Sequence, residues 1–240
     1  MHIGLLSDVH GNLAGLRAVA AALEREGPLD HVVVAGDLLQ GGPRPAEVWD
    51  ILRALGWTVI QGNEDAALAV AGTVYPGSSA TNARAYARQL AWAREQLGLE
   101  VLAALSRLPA EWRVSTSAGD LLVVHSSPRA MNDQCGSVHN TLVEMNEAYA
   151  GTGAAAIAFG HYHRNFVRAT PFALLVNVAS VGLPLDGLPL ASYTVITATS
   201  DGWIVEQRRV PYDAAEEEAA ARRSGFPRWP DRPDEERRAR

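Results

Sequence analysis

Apolar residues recur along the chain in two rhythms. Residues 3–6 form a short continuous run, and Val32, Val33 and Val34 form a second, β-branched one, as expected of strands covered on both faces. Between them Leu13, Leu16, Val19, Ala20 and Leu23 return at helical spacing. Asn12 is placed to cap that helix, and Gly27-Pro28 to end it. After the second run Pro45 opens another helix, faced by Val48, Ile51, Leu52 and Leu55 and closed by Gly56. Residues 57–60 read as a third strand. Strands alternating with helices predict a parallel α/β arrangement whose polar loops lie at the carboxyl ends of the strands, where ligands bind in open α/β sheets.

The rhythm then changes. Residues 66 to about 108 are mostly helical in pattern and read as a helical insertion, with Thr81 as cap of a helix running to Leu97 and ended by Gly98. Strand character returns at 121–124 and 155–159, with a helical stretch over 138–149 between them. Residues 174–177, 193–197 and 203–210 alternate more, which predicts a second sheet formed by antiparallel pairing. Beyond Pro211 the composition shifts to Ala, Glu and Arg. Residues 213–223 read as an exposed helix, and 226–240, dense in Pro, Arg, Asp and Glu, as a tail without fixed structure unless it docks.

At 240 residues and 48% hydrophobic, the chain is large enough to bury a sizeable core. A net charge of -6 argues against broad attraction to nucleic acid backbones. One cysteine, Cys135, cannot close an internal disulfide. The start of the chain reads as a strand rather than a signal peptide, and no apolar run is long enough to span a membrane. These features together place the expectation in the cytoplasm, with no membrane partner; the oligomeric state is left open.

The polar residues of one chemical kind fall at strand ends. Asp8 and His10 follow the first strand, Asp37 the second, Asn63 the third, His125 a later one, and His161 and His163 another. An Asp-x-His pair alone is common by chance, and Asn63 alone could be a turn residue. Seven such residues at successive strand ends can converge on one edge. Imidazole, carboxylate and one amide oxygen, without thiolate, suit Mn²⁺, Fe²⁺ or Zn²⁺ rather than a cysteine-type structural zinc site. Seven ligands exceed one tetrahedral ion but suffice for two if a carboxylate bridges.

Asp8-Val9-His10, Gly36-Asp37, Gly62-Asn63, His125 and Gly160-His161-Tyr162-His163 resemble, in order, the five motifs of the calcineurin-like metallophosphoesterases. Residues 177–182, Asn-Val-Ala-Ser-Val-Gly, resemble the turn that follows in small bacterial members, so the likeness covers roughly residues 2 to 198. The resemblance implies a four-layer α/β/β/α sandwich with two mixed sheets, filling residues 1–212, with 213–240 as an appended helix and tail. It implies that Asp8, His10 and His163 hold one divalent metal, that Asn63, His125 and His161 hold a second, and that Asp37 bridges them. Asp37, Asn63 and His125 thereby become the expected catalytic residues. The implied reaction is hydrolysis of a small phosphate ester by a hydroxide shared between two metals, which lower the pKa of bound water toward about 7.

The chain departs from the family at Glu64, where many members carry a histidine that assists the leaving group. Members without that histidine resemble phosphodiesterases, so diester hydrolysis is the expectation. A phosphomonoesterase or dinucleoside polyphosphate hydrolase is the first alternative, and a non-catalytic protein-binding scaffold on the same fold the second. A carboxylate at Glu64 must be protonated or turned away from a phosphate; a metal-bound water or His139 is the candidate acid in its place. Leu183 and Leu185 fill turn positions that are often polar in relatives. His2 and His31 are read as structural, and Arg84, Arg88 and Arg94 as a solvated helix face. Gly41-Gly42 is followed by no Lys-Ser/Thr and is not a P-loop.

Overall fold

The computed structural model describes residues 1–70 and 80–227. The elements run β1 (His2–Leu6), α1 (Leu13–Arg25), β2 (His31–Val34), α2 (Pro45–Leu55), β3 (Thr58–Val59), α3 (Asn63–Ala69), α4 (Ala80–Leu105), β4 (Glu111–Thr116), β5 (Gly119–Val124), α5 (Leu142–Tyr149), β6 (Ala156–Phe159), β7 (Phe166–Ala169), β8 (Leu174–Asn177), β9 (Ala191–Thr199), β10 (Gly202–Val210) and α6 (Ala214–Ser224). They build two mixed five-stranded sheets, ordered β10-β9-β1-β2-β3 and β4-β5-β6-β8-β7.

Strand periodicity sorts the side chains into layers. Ile3 and Leu5 of β1, with Val33 of β2 and Ile196 of β9, meet Leu121, Val123, Ala156, Ala158 and Val176 from the other sheet, and this apolar layer glues sheet to sheet. On the outer face of the first sheet, Leu6, Val34 and Val195 pack against α1, α2 and α4. On the outer face of the second, Leu122, Ile157, Phe159 and Leu175 pack against Met145 and Tyr149 of α5. The order helix, sheet, sheet, helix is the expected α/β/β/α sandwich. Gly4 faces α1, and a Cβ there would stand 2.9 Å from Leu23.

Local signals fixed the helix ends well. Asn12 caps α1, its side chain accepting from the Gly15 N–H, a bond worth about 1 kcal/mol. Pro45 opens α2, and Gly56 closes it in the left-handed region at φ 64°. The expected helix end at Gly98 is present: its backbone is non-helical (φ 71°, ψ 171°), so the span of α4 consists of two helices that meet there, the second running on to Leu105. The expected cap at Thr81 concerns a side chain outside the described residues. The helix expected over 138–149 is shorter: Thr141 and Glu144 form a capping box that starts α5 at Leu142.

Strand pairing differs from expectation. β9 and β10 do not join a second sheet; β9 runs antiparallel to β1 and β10 to β9, completing the first sheet. β8 does enter the second sheet, antiparallel to β7 as expected and parallel to β6 on its other side. The carboxyl ends that carry the polar loops therefore belong to two sheets rather than one. Alternation marks a residue run as strand and says nothing about its neighbour.

α6 is not a fully exposed helix. Its Glu217 is buried and accepts the Ala14 N–H at 2.6 Å, and Arg44 pairs with both Glu216 and Glu217. Among the described residues, no helix is long and apolar enough to cross a membrane.

Candidate metal centre

Each of the seven candidate side chains stands on the turn or helix start that follows a strand, and the turns are laced together by backbone. Asp8 N–H donates to Gly36 O and His10 N–H to Asp37 O, tying the loops after β1 and β2. Asp65 accepts from the N–H groups of Asp37, Leu38 and Gly62, tying the loops after β2 and β3. Burial and the nearby Asp37 charge push the Asp65 carboxyl up to about 7, while those N–H donors pull it the other way. The His161 N–H donates to Asp8 Oδ2 at 3.0 Å, joining the loops of the two sheets. Such close approach needs glycine: a Cβ on Gly62 would lie 2.2 Å from Asp37 Oδ1, and one on Gly160 2.3 Å from Asp8 Oδ2.

The backbone is strained where the candidate ligands sit. Asp8, His10, Asp37, His161 and His163 have φ of 55°, 49°, 54°, 67° and 56°, and Ala179 is the one other described non-glycine residue with positive φ. Left-handed backbone costs about 1–3 kcal/mol at such residues and concentrates at functional sites. Here it turns five side chains toward one point.

Two groups of donors result. Asp8, His10 and His163 each present an atom within 4.8 Å of the others, and Asp37, His125 and His161 do the same. Asn63 joins the second group, its Oδ1 lying 2.8 Å from His161 Nδ1 and 3.0 Å from His125 Nε2. Asp37 Oδ2 faces both groups, 3.4 Å from His125 Nε2 and 3.9 Å from His10 Nε2.

Three imidazoles are held from behind. The Nδ1 atoms of His10, His125 and His163 each lie 2.7 Å from a backbone carbonyl, of Gln40, Ala35 and Leu183 respectively. A carbonyl only accepts, so each Nδ1 carries the proton and each Nε2 turns inward. His161 is reversed: its Nδ1 faces inward and its Nε2 lies 3.2 Å from Gln134 Nε2.

This arrangement fits divalent cations. Asp8 Oδ1 is buried without a hydrogen-bond partner, yet His163 Nε2 stands 3.1 Å and His10 Nε2 3.7 Å from it. A buried carboxylate oxygen so placed costs free energy unless positive charge, proton or metal, satisfies it. Burial alone would lower His125, but the Asp37 carboxylate outweighs it and lifts the imidazole to about 10. His163 is raised in the same way by Asp8, against its own burial. Burial and the charge of His125 lower His161 to about 4. Asp8 and Asp37 are held below the usual carboxylate range, despite burial, by His163 and His125 in turn.

Glu64 is turned away from the cluster. Its Oε2 accepts from the Tyr86 hydroxyl at 2.8 Å and its Oε1 from Asn63 Nδ2 at 3.0 Å. Burial and the Asp37 charge push it up to about 8. Leu183 and Leu185 serve through backbone: Leu183 O holds His163, and Leu185 N–H donates to His163 O. Their side chains are free of that duty, so apolar residues are tolerated there. Asn177 and Ser180 brace the same turn, through Asn177 Nδ2 to Gly160 O and Ser180 Oγ to Asp8 O.

The remaining expectations sort by contact. His2 Nδ1 lies 3.3 Å from Pro28 O, and His31 meets Trp112 edge-on at 5.1 Å, both structural roles. His139 is exposed, its backbone N–H donating to Ser137 Oγ. Arg84 and Arg88 are exposed, but Arg94 is not part of a solvated face: its guanidinium donates to Leu68 O at the end of α3. Gln134 and Tyr86 escaped the sequence reading, since nothing in their spacing points to the cluster. The carbonyl of Gln40 had one visible signal, the glycine pair after it: a Cβ on Gly41 would stand 3.2 Å from His10 Nδ1.

Comparison with known proteins now adds a lineage. A profile of the calcineurin-like phosphoesterase superfamily domain matches residues 1–201. An uncharacterized protein of Methanocaldococcus jannaschii is 24% identical over 95% of this chain and 94% of its own length. A crystal structure of a metallophosphoesterase from Sphaerobacter thermophilus, 27% identical, superposes with a TM-score of 0.73, covering 95% of both chains. A hypothetical protein from Pyrococcus horikoshii, 18% identical, shares the fold with a TM-score of 0.77 over 94% of both chains.

Proposed function

This chain belongs to the calcineurin-like phosphoesterase superfamily, and we propose that it hydrolyses small phosphodiesters with the help of two divalent metal ions held by its seven clustered side chains. The observation that carries the reading is the position of Asp37 Oδ2, which faces both donor groups at once. Asp8, His10 and His163 would hold one ion, Asn63, His125 and His161 the other, and Asp37 both. Mn²⁺, Fe²⁺ or Zn²⁺ suits these donors. When bound, the two ions supply positive charge that makes water acidic near neutral pH and neutralises phosphoryl oxygens.

The protein's own part is orientation. The carbonyls of Gln40, Ala35 and Leu183 fix three imidazoles in one tautomer, and the Asp8–His161 bond sets the two sheets' loops at one spacing. Water exclusion comes from burial: Asp8, His10, Asp37 and His125 are all buried. The preference for diesters is supported by Glu64. Its carboxyl is engaged with Tyr86 and Asn63 rather than aimed into the cluster, so it stands where relatives carry an assisting histidine without taking that role. Residues 1–212 would form the catalytic domain.

The test is hydrolysis of bis(p-nitrophenyl) phosphate against p-nitrophenyl phosphate, with Mn²⁺ returned to metal-stripped protein. Metal-dependent cleavage favouring the diester is expected. Preference for the monoester would replace the diester reading with a phosphomonoesterase, and absence of both turnover and bound metal would leave a scaffold.

A further inference from the structure

Resting on the two-metal reading above, we propose that Glu64, anchored by Tyr86, is a positioning residue that locks the Asn63 amide with its oxygen toward the second metal position.

An asparagine amide has two faces of opposite character, and it can show its oxygen to one side only. Asn63 lies between two environments. On one side its Oδ1 meets His125 Nε2 and His161 Nδ1 at 3.0 and 2.8 Å. On the other its Nδ2 meets Glu64 Oε1 at 3.0 Å. Both Glu64 oxygens accept in this geometry, Oε2 from the Tyr86 hydroxyl and Oε1 from Asn63 Nδ2, so Glu64 meets the NH₂ end and the amide oxygen is delivered to the cluster.

Glu64 is itself held. Its other oxygen takes the Tyr86 hydroxyl at 2.8 Å, and Tyr86 is a buried residue of α4. The carboxyl is buried between these two donors, so it has little freedom to swing. A chain of contacts therefore runs from the helical insertion through Tyr86 and Glu64 to Asn63. It gives the insertion a role in setting the second donor group, and gives the glutamate a role that its position in the motif does not reveal. A histidine in its place could present either a donor or an acceptor to Asn63.

The experiment is titration of the metal-free, full-length protein with Mn²⁺, following free Mn²⁺ by electron paramagnetic resonance. Wild type should bind two ions. Glu64→Gln, whose own amide can present NH₂ to Asn63 and let it turn over, should bind the first ion as wild type does and the second about 10–100-fold more weakly. Tyr86→Phe should weaken the second ion by a smaller factor, about fivefold; it also carries the test should Glu64→Gln not fold. A purely structural role would shift both ions together or the melting temperature of the metal-free protein. Two ions bound by Glu64→Gln with wild-type affinities would overturn the proposal while leaving the two-metal reading intact. A wild type that binds fewer than two ions would bring down both.

Discussion

Asp8 and His161 are bound across the gap between the two sheets: one carboxylate oxygen accepts the His161 N–H at 3.0 Å, and the other points, unpartnered, at His10 and His163. The two oxygens thus have separate tasks. In Asp8→Asn the carboxamide must keep its oxygen on the His161 N–H, so its NH₂ is driven toward the first metal position. Loss of one bound metal and a fall in kcat of at least about 100-fold are expected, with circular dichroism unchanged. A variant that retained both ions would show that Asp8 Oδ1 is not a ligand.

Asp37 divides its oxygens in a similar way, Oδ1 accepting the Glu64 N–H at 2.8 Å and Oδ2 facing both donor groups. Asp37→Asn should strip at least one ion and abolish turnover while the fold survives. Elemental analysis of the purified variant decides the matter, since wild-type turnover with full metal content would remove Asp37 from the bridge.

Adding metal should stabilise the protein as well as activate it. The cluster buries Asp8, Asp37 and His125, and any ion that binds only the folded chain adds about 2.7 kcal/mol at a concentration 100 times its Kd. For a chain of this size that corresponds to a rise in melting temperature of about 5–10 °C. Calorimetry with and without Mn²⁺ measures it, and an unchanged midpoint at saturating metal would contradict a buried, folded-state site.

The docking of α6 rests on Arg44 with Glu216 and Glu217, and on Glu217 with the Ala14 N–H. Arg44→Met should destabilise by about 3 kcal/mol, because Glu217 is left buried without its partner. The double variant with Glu217→Met should recover part of that loss. Denaturant unfolding of the two proteins gives the comparison; equal destabilisation would mean that the charge pair is not what holds the helix.

The site was far more legible in the sequence than the sheets were. Asp8, His10, Asp37, Asn63, His125, His161 and His163 could be picked out because each ends a short apolar run, and the structure brings all seven together. The runs at Val32–Val34 and 121–124 announce themselves by composition. β4 and β7 do not, since Glu111–Thr116 and Phe166–Ala169 alternate half-buried and exposed positions over a few residues, with no buried residue in either, and each carries an arginine. The partners of β9 differ from those expected because pairing depends on which strand lies alongside, information that period two does not hold. The direction of Glu64 was likewise hidden: it is set by Tyr86, 22 residues away in the chain.

One feature of the first sheet bears on how the protein is made. β1 lies between β2 and β9, so the strand that launches Asp8 and His10 obtains its second neighbour from residues 191–199. A nascent chain emerging in order would display all seven donors once His163 had appeared, yet β1 would still have an open edge, and the Asn177–Gly182 turn that braces Asp8 would not exist. Closing a loop of that length is entropically slow compared with local pairing. Assembly of the cluster should therefore come late in synthesis, when β9 seats beside β1, and a fragment ending soon after His163 would carry all seven candidate ligands without bringing them together.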